Sequence, residues 1–405
     1  MLGQLPVVLT RQGARFCRQS DGSIVPVFAL ALLPICGLIG AAVDYSRASN
    51  IRTGLQGSLD SAVLAGAQYG DSVALAVFNA NFQPKGSTVA TPNFNSNANG
   101  SYSGSVTAVV PMTFVGAVGV SSVNVGAKAT AISLQRAPLC ALALNPVTSG
   151  AFQVTGSGVF TAKGCAVQAN STSANAISST GTASAKADEF CVAGKGSGRF
   201  SPSPTTGCPA VADPLAGLVP PSVGSCMFTN MNVTTTTTLA PGVYCGGLSI
   251  TGNVSITFSP GTYIVKDGPL NVSVSSNLNG AGVSFYLTGN NATTSWGGGG
   301  QIALSAPTTG PLAGILFFQD SLAAPGATST LMADSSASYE GALYFPTQNL
   351  TLTGQGSGQD LPAAWTAIVA NTIKTTGDGY YTLKYGSSRV PFPEGLKRRT
   401  VVLSQ

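Results

Sequence analysis

At 405 residues the chain is long enough for two or three domains, yet only 8% of it is charged, and it carries 50 glycines and no histidine. The missing histidine excludes Ser-His-Asp and Cys-His catalysis and His-ligated zinc, and it removes the commonest general base. The net charge of +5 is spread thinly, with no basic stripe interleaved with aromatics, which argues against nucleic-acid binding.

Residues 1–20 are a short basic lead containing Arg11, Arg15 and Arg18. The stretch 21–67 organises the chain. No charge stands between Asp21 and Asp44, a gap of about 22 residues, long enough as a helix to cross a bilayer core of roughly 30 Å. Positive charge ahead of this run predicts a cytoplasmic N-terminus and everything after the anchor outside. Pro26 and Pro34 fall within the run, and membrane helices tolerate such residues. The rival reading is a cleaved signal peptide with small residues at Gly40 and Ala42. Against it, the apolar run exceeds the usual signal core and the helical pattern continues beyond it.

From Asp44 to Ala67 the pattern turns amphipathic. Ile51, Leu55, Leu59, Ala62 or Val63, and Gly66 share one face, and Arg52, Gln56 and Asp60 the other. The apolar face serves either to pack the helix on its own domain or to bundle it with pilin-like subunits.

These residues resemble the N-terminal segment of the TadE/TadG-like proteins of the Flp (tight-adherence) pilus system. The matching features are Phe28-Ala29-Leu30-Ala31-Leu32, Gly40, Val43-Asp44-Tyr45, Arg52, Leu55-Gln56, Leu59-Asp60-Ser61-Ala62 and Leu64-Ala65-Gly66-Ala67. The most specific part is Val-Asp-Tyr at the helix exit followed by Leu59 to Ala67. The resemblance implies a single-pass protein of the bacterial inner membrane linked to assembly of adhesive pili. Its C-terminal part would be periplasmic or extracellular, and its partners the membrane and other pilus-assembly or pilin-like proteins. Pilin precursors resembling TadE carry a Glu five residues after the processing Gly; counting from Gly22, that position is Val27. The resemblance therefore points to the TadG side of the family, which keeps its anchor.

Residues 68–136 read as a small pilin-like α+β domain. The run 93–101, NFNSNANGS, reads as loop, and 102–110 and 123–131 alternate with the period of a strand. From 137 to 405 the chain is rich in Gly, Ser and Thr, and a Gly followed by a short bulky run recurs at 242, 261, 282, 314 and 341, with a last bulky run at 366–370. Shorter alternating segments lie between, at 248–250, 254–258, 270–274, 302–304 and 350–352. The pattern predicts a mainly β chain ending in a right-handed parallel β-helix, whose coils bury a common apolar column only when stacked. The alternative is an antiparallel β-sandwich, which needs paired hairpin turns at shorter spacing. The Pro-rich stretch 201–221 is expected to leave the stack.

Six cysteines follow the anchor: Cys140, Cys165, Cys191, Cys208, Cys226 and Cys245. An even number in an exported context predicts disulfides; neighbour pairing is the simplest of the 15 possibilities, and no CxxC favours zinc. Cys17 and Cys36 precede or lie within the anchor.

Parallel β-helices often carry carbohydrate-active enzymes, and a glycosidase needs two carboxylates facing one bond. Here Asp188 and Glu189 are adjacent, so on a strand they point to opposite faces. Asp213, Asp267, Asp320, Asp334, Glu340, Asp360, Asp378 and Glu394 stand singly. A membrane-tethered β-helical polysaccharide lyase or hydrolase is the alternative, a lyase being the one that could use Lys266-Asp267 or Asp320. Asp320-Ser321-Leu322 lacks the second Ser of a metal-ion adhesion motif, and Gly297 to Gly300 lacks the Lys of a phosphate loop. The expectation is a non-enzymatic protein with no cofactor and no metal. Its Ser/Thr/Asn-rich surface, with aromatics such as Tyr380-Tyr381, is suited to glycans or neighbouring subunits.

Overall fold

The uncharged run and the amphipathic run behind it form one helix, α1 (Ile24–Tyr69), with Pro34 inside it. The computed structural model describes residues 24–83, 88–89, 91–97, 101–273, 275–297, 299–333, 336–354 and 363–404. The basic lead 1–20, Gly22, Asp334 and Asp360 lie outside the described residues. The chain divides into two compact units, residues 1–135 with 399–405, and residues 136–398.

In the first unit the helix changes environment along its length. Val25, Phe28, Leu30, Leu33, Ile35, Leu38 and Ile39 are exposed, and this end is long and apolar enough to cross a membrane. Leu55, Leu59, Ala62 and Val63 are wholly buried, as their spacing predicts. Gly70, at φ 91°, takes a backbone conformation that glycine adopts without strain, and it separates α1 from α2 (Asp71–Asn81).

The buried face of α1 covers a small antiparallel sheet. Ser101–Pro111 pairs with Ser122–Gln135, and Val106, Ala108, Val110, Val125, Ala127 and Ala129 alternate into the core. Two features depart from expectation. Asn93–Ser96 is a strand, not a loop: it pairs antiparallel with the start of Ser101–Pro111, and the Phe94 ring stacks 6.0 Å from that of Tyr102. The final strand, Arg399–Ser404, pairs with Ser122–Gln135 in this first sheet, so the second unit ends at Arg398 and not at 405. Alternation identifies a strand but not the sheet it joins.

Among the described residues, every strand pairing in the second unit is parallel, which removes the antiparallel sandwich. Tyr263 lies beside Phe285, Phe285 beside Phe317, Phe317 beside Leu343, and Leu343 beside Ile368. Two further ladders run alongside. One passes through Leu248, Leu270 and Thr294, the other through Phe258, Gly280 and Leu304. Side chains between the ladders form one core. Its spine is aromatic, with ring centroids of Phe228–Tyr244 at 4.7 Å, Tyr263–Phe285 at 5.5 Å, Phe285–Phe317 at 5.1 Å and Phe317–Phe345 at 5.9 Å. Of the Tyr380-Tyr381 pair only Tyr380 is on the surface; Tyr381 is core.

The order of strands in space is not their order in the chain. Thr366–Gly377 pairs with Leu139–Ala143 and with Phe152–Val154, so the last strands of the unit sit beside its first. From there the ladders run through Val159–Ala169 and Ser184–Val192 to Thr205–Thr206 at one end. The opposite end is Phe228–Val233. The segment between these ends, 207–227, must therefore travel back along the whole stack. At about 4.8 Å per strand the stack is on the order of 50 Å deep, and an extended segment of this length reaches roughly 70 Å.

Contacts trace this strap. The Asn170 amide exchanges hydrogen bonds with the backbone of Val211 at 2.7 and 2.9 Å, and Gln168 donates to the Pro209 carbonyl at 2.9 Å. Asp213 accepts from the Tyr344 hydroxyl at 2.7 Å, and Leu215 is buried. Pro220 and Pro221 then share the lining of one pocket with Gly261, Thr262 and Gly282. Disulfides pin both ends, Cys191–Cys208 and Cys226–Cys245, while Cys140–Cys165 joins neighbouring strands, so the three pairs are those of neighbour order.

Buried phenols give this core an alkaline signature. Burial pushes the Tyr244 and Tyr286 hydroxyls up to about 12, and those of Tyr263 and Tyr344 higher still. The folded state favours the neutral phenol, so this contribution to stability is complete below pH 10 and is lost as pH rises toward 12 and beyond. Spectrophotometric titration of tyrosinate absorbance checks this against the ordinary phenol value of about 10. The four buried rings should ionise only in a later, cooperative step that coincides with unfolding; a single wave near pH 10 would contradict the packing.

Candidate functional site: the seat between helix and sheet

The family-like residues of α1 converge on the sheet of the first unit. The segment 112–121 links its two long strands through a single 3-10 turn, Val115–Val118. The N–H groups that open such a turn have no carbonyl behind them. Asp44 supplies the acceptor: Oδ1 takes the Thr113 N–H at 3.1 Å, and Oδ2 takes those of Phe114 at 2.7 Å and Val115 at 2.8 Å. The Asp44 side chain is nearly inaccessible, so these charge-assisted bonds are what make its burial tolerable. One helical turn earlier, a Cβ on Gly40 would come within 2.6 Å of the Phe114 side chain. Gly40 leaves the room and Asp44 provides the hydrogen bonds that seat this loop at the end of the apolar run.

Farther along, Gln56 Nε2 donates to Asp60 Oδ1 at 2.7 Å and to the Lys128 carbonyl at 2.9 Å, tying the polar edge of α1 to the sheet. Leu55, Leu59 and Ala62 fill the core. A Cβ on Gly66 would stand 2.3 Å from the Tyr102 ring, whose hydroxyl donates to Asp71 at 2.7 Å. From the opposing strand, a Cβ on Gly104 would lie 2.7 Å from Val63. Leu64, Ala65 and Ala67 are half-buried, and Tyr45 is 76% exposed. Most of the motif therefore acts in packing one helix on one sheet. Tyr45 does not: among the described residues of this unit no contact accounts for it. The partners Phe114, Tyr102 and Gly104 carry no signal in the spacing of α1; only the fold brings them to it.

In the second unit each described carboxylate is engaged locally. Glu189 meets Arg136 at 2.7 Å and also Arg398. Asp188 accepts from the Gly164 N–H at 3.2 Å, Asp267 from that of Asn290 at 2.9 Å, and Asp320 from the hydroxyls of Tyr286 and Thr288 at 3.0 and 2.8 Å. Glu340 holds Ser388, Asp378 holds Ser157, and Glu394 holds Lys397. Among the described residues no three of His, Cys, Asp and Glu gather as a metal site would require.

The packing assignment is open to direct test. Leu59→Ala is expected to lower stability by about 2–5 kcal/mol, and Gly66→Leu by about 1–3 kcal/mol through overpacking against Tyr102. Tyr45→Ala should change it by less than about 0.5 kcal/mol. Denaturant unfolding of the full-length chain in detergent measures all three, and equal losses at the three positions would overturn this division of roles.

Residues 22–68 match the family model described as Putative Flp pilus-assembly TadE/G-like, a segment that nearly coincides with α1. No curated protein and no solved structure matches the chain. Over that segment the chain is similar to the TadE/G-like family, and α1, which carries it, is the helix among the described residues that is long and apolar enough to cross a bilayer.

Proposed function

We propose that the chain is a non-enzymatic, TadG-like inner-membrane protein that presents a parallel β-helix outside the membrane in Flp pilus assembly or surface adhesion. The observation that carries the reading is the match over residues 22–68 on a helix whose Asp44, Gln56 and Gly66 build a folded domain just beyond its apolar run. Arg11, Arg15 and Arg18 ahead of the run favour an outward C-terminal part, and three disulfides fit an oxidising compartment.

The β-helix reading rests on three parallel ladders sharing one core, since parallel strands this close in sequence are joined by turning the same way at each coil. The non-enzymatic reading rests on the carboxylates. Among the described residues, Glu189, Asp213, Asp320 and their fellows are spent on arginines, hydroxyls and backbone N–H groups. Partners are the membrane, other pilus-assembly proteins and, on the Ser/Thr/Asn-rich surface, glycans.

Protease treatment of intact spheroplasts, with the N-terminus of the mature chain read, tests the topology. The expected outcome is an uncleaved N-terminus, with the parts beyond α1 lost on a denaturing gel and α1 retained in the membrane. A mature chain starting at Ser23 would instead mean prepilin-type processing and incorporation into a fibre, and one starting near Val43 a released protein.

A further inference from the structure

The two ends of the parallel stack are built differently. At one end the strands are Gly196–Ser197, Phe200–Ser201 and Thr205–Thr206, each two residues long. Pro202 and Pro204 interrupt them, and Lys195 and Arg199 flank them, exposed. Short strands, prolines and charge are the usual means of making a sheet edge unfit for pairing.

The other end has none of these. From Met227 to Ala240 there is no charged residue and no proline. Among the described residues, Phe228–Val233 pairs on one side only, with Gly242–Ile250, and Thr237–Leu239 only with Ser255–Phe258. The Met227 N–H goes to Val243 and the Val233 carbonyl takes the Thr251 N–H. Strand alternation therefore turns the N–H and C=O of Phe228 and Asn232 toward the open edge. The core is open there too. Phe228, the last ring of the aromatic spine, is only half-buried, Met227 beside it is 59% exposed, and Thr237, in register with the buried Ile256, is exposed. A repeat stack normally needs a polar cap at such a place.

We infer that this end is an association surface whose occupant is the same end of a second copy. The edge is uncharged throughout, so it meets no repulsion from itself. A two-fold axis at the end reverses strand direction and sets the two edges antiparallel, the better-bonded arrangement. Pairing with the opposite end of another copy would confront this edge with Pro202, Pro204, Lys195 and Arg199. The dimer joins the Phe228 sides of the two stacks and closes both spines.

Light scattering on the full-length chain in detergent micelles, across the micromolar range, reads the protein mass. The wild type is expected to pass from monomer to dimer with concentration. Asn232→Pro removes an N–H from the open edge and spares the paired one. Thr237→Lys brings two like charges together at the axis and serves where the proline variant fails to fold. Each is expected to weaken dimerisation at least about tenfold, whereas Ala303→Lys, exposed and three strands in from the edge, leaves it unchanged. A wild type monomeric throughout overturns the inference, as does a dimer that folded Asn232→Pro or Thr237→Lys leaves intact, which would assign association to another surface such as α1. Neither result bears on whether the chain serves pilus assembly.

Discussion

The second unit depends on one act of closure, the parallel pairing of Thr366–Gly377 with Leu139–Ala143 and Phe152–Val154. Strands added one after another would leave the beginning and end of the unit at opposite extremes of the stack. Joining the last to the first places them in the middle. Two consequences follow. The chain has to recross the stack once, which is the work of the segment 207–227. And the entry at Arg136 and the exit at Arg398 become neighbours: the Arg136 N–H bonds the Arg398 carbonyl at 3.1 Å, and Glu189 grips both guanidinium groups. Only because entry and exit meet can the chain return to its first sheet as Arg399–Ser404. The unit is thus an insertion within the first domain, not an addition after it.

A strap that recrosses a stack has little regular hydrogen bonding of its own, so its order has to be imposed. Here that is done covalently at both ends, where Cys191–Cys208 and Cys226–Cys245 close loops of 17 and 19 residues, and by the Asn170, Gln168 and Asp213 contacts between them. Loop closures of that size remove on the order of 3 kcal/mol each from the entropy favouring the unfolded chain. Pairing of strands so distant in sequence is slow to form, because its loop-closure cost comes before its contacts. The strap's disulfides fall at positions where they hold the permuted order once it is reached.

Much of this was legible beforehand. The charge-free run, the face of Leu55, Leu59 and Ala62, the alternation at 102–110 and 123–131, and the Gly-led runs at 242, 261 and 282 each report a local periodicity, and local periodicity is what a sequence displays. The pairing of Ile368 with Ala141 is not periodic, and neither is the choice of sheet for Arg399–Ser404. The same holds for the seat of Asp44. Its conspicuous position at the helix exit marked it, but its three donors lie about seventy residues on, in a loop with no motif. Asn93–Ser96 was obscured for the opposite reason: its asparagines speak for a turn, while a single aromatic, Phe94, has enough packing on Tyr102 to make it a strand.

The double connection has a mechanical side. A domain hung on one linker transmits any pull through a single strand of backbone, and the first element to yield is the one next to that linker. This one is suspended by two, leaving side by side from Gln135 and Arg399, which are themselves paired in register. Tension on the inserted unit is therefore shared between two covalent paths. It enters the first sheet through Ser122–Gln135 and Arg399–Ser404, which are adjacent antiparallel strands. Within the inserted unit Glu189 binds both Arg136 and Arg398, so that the unit's first and last residues are held together.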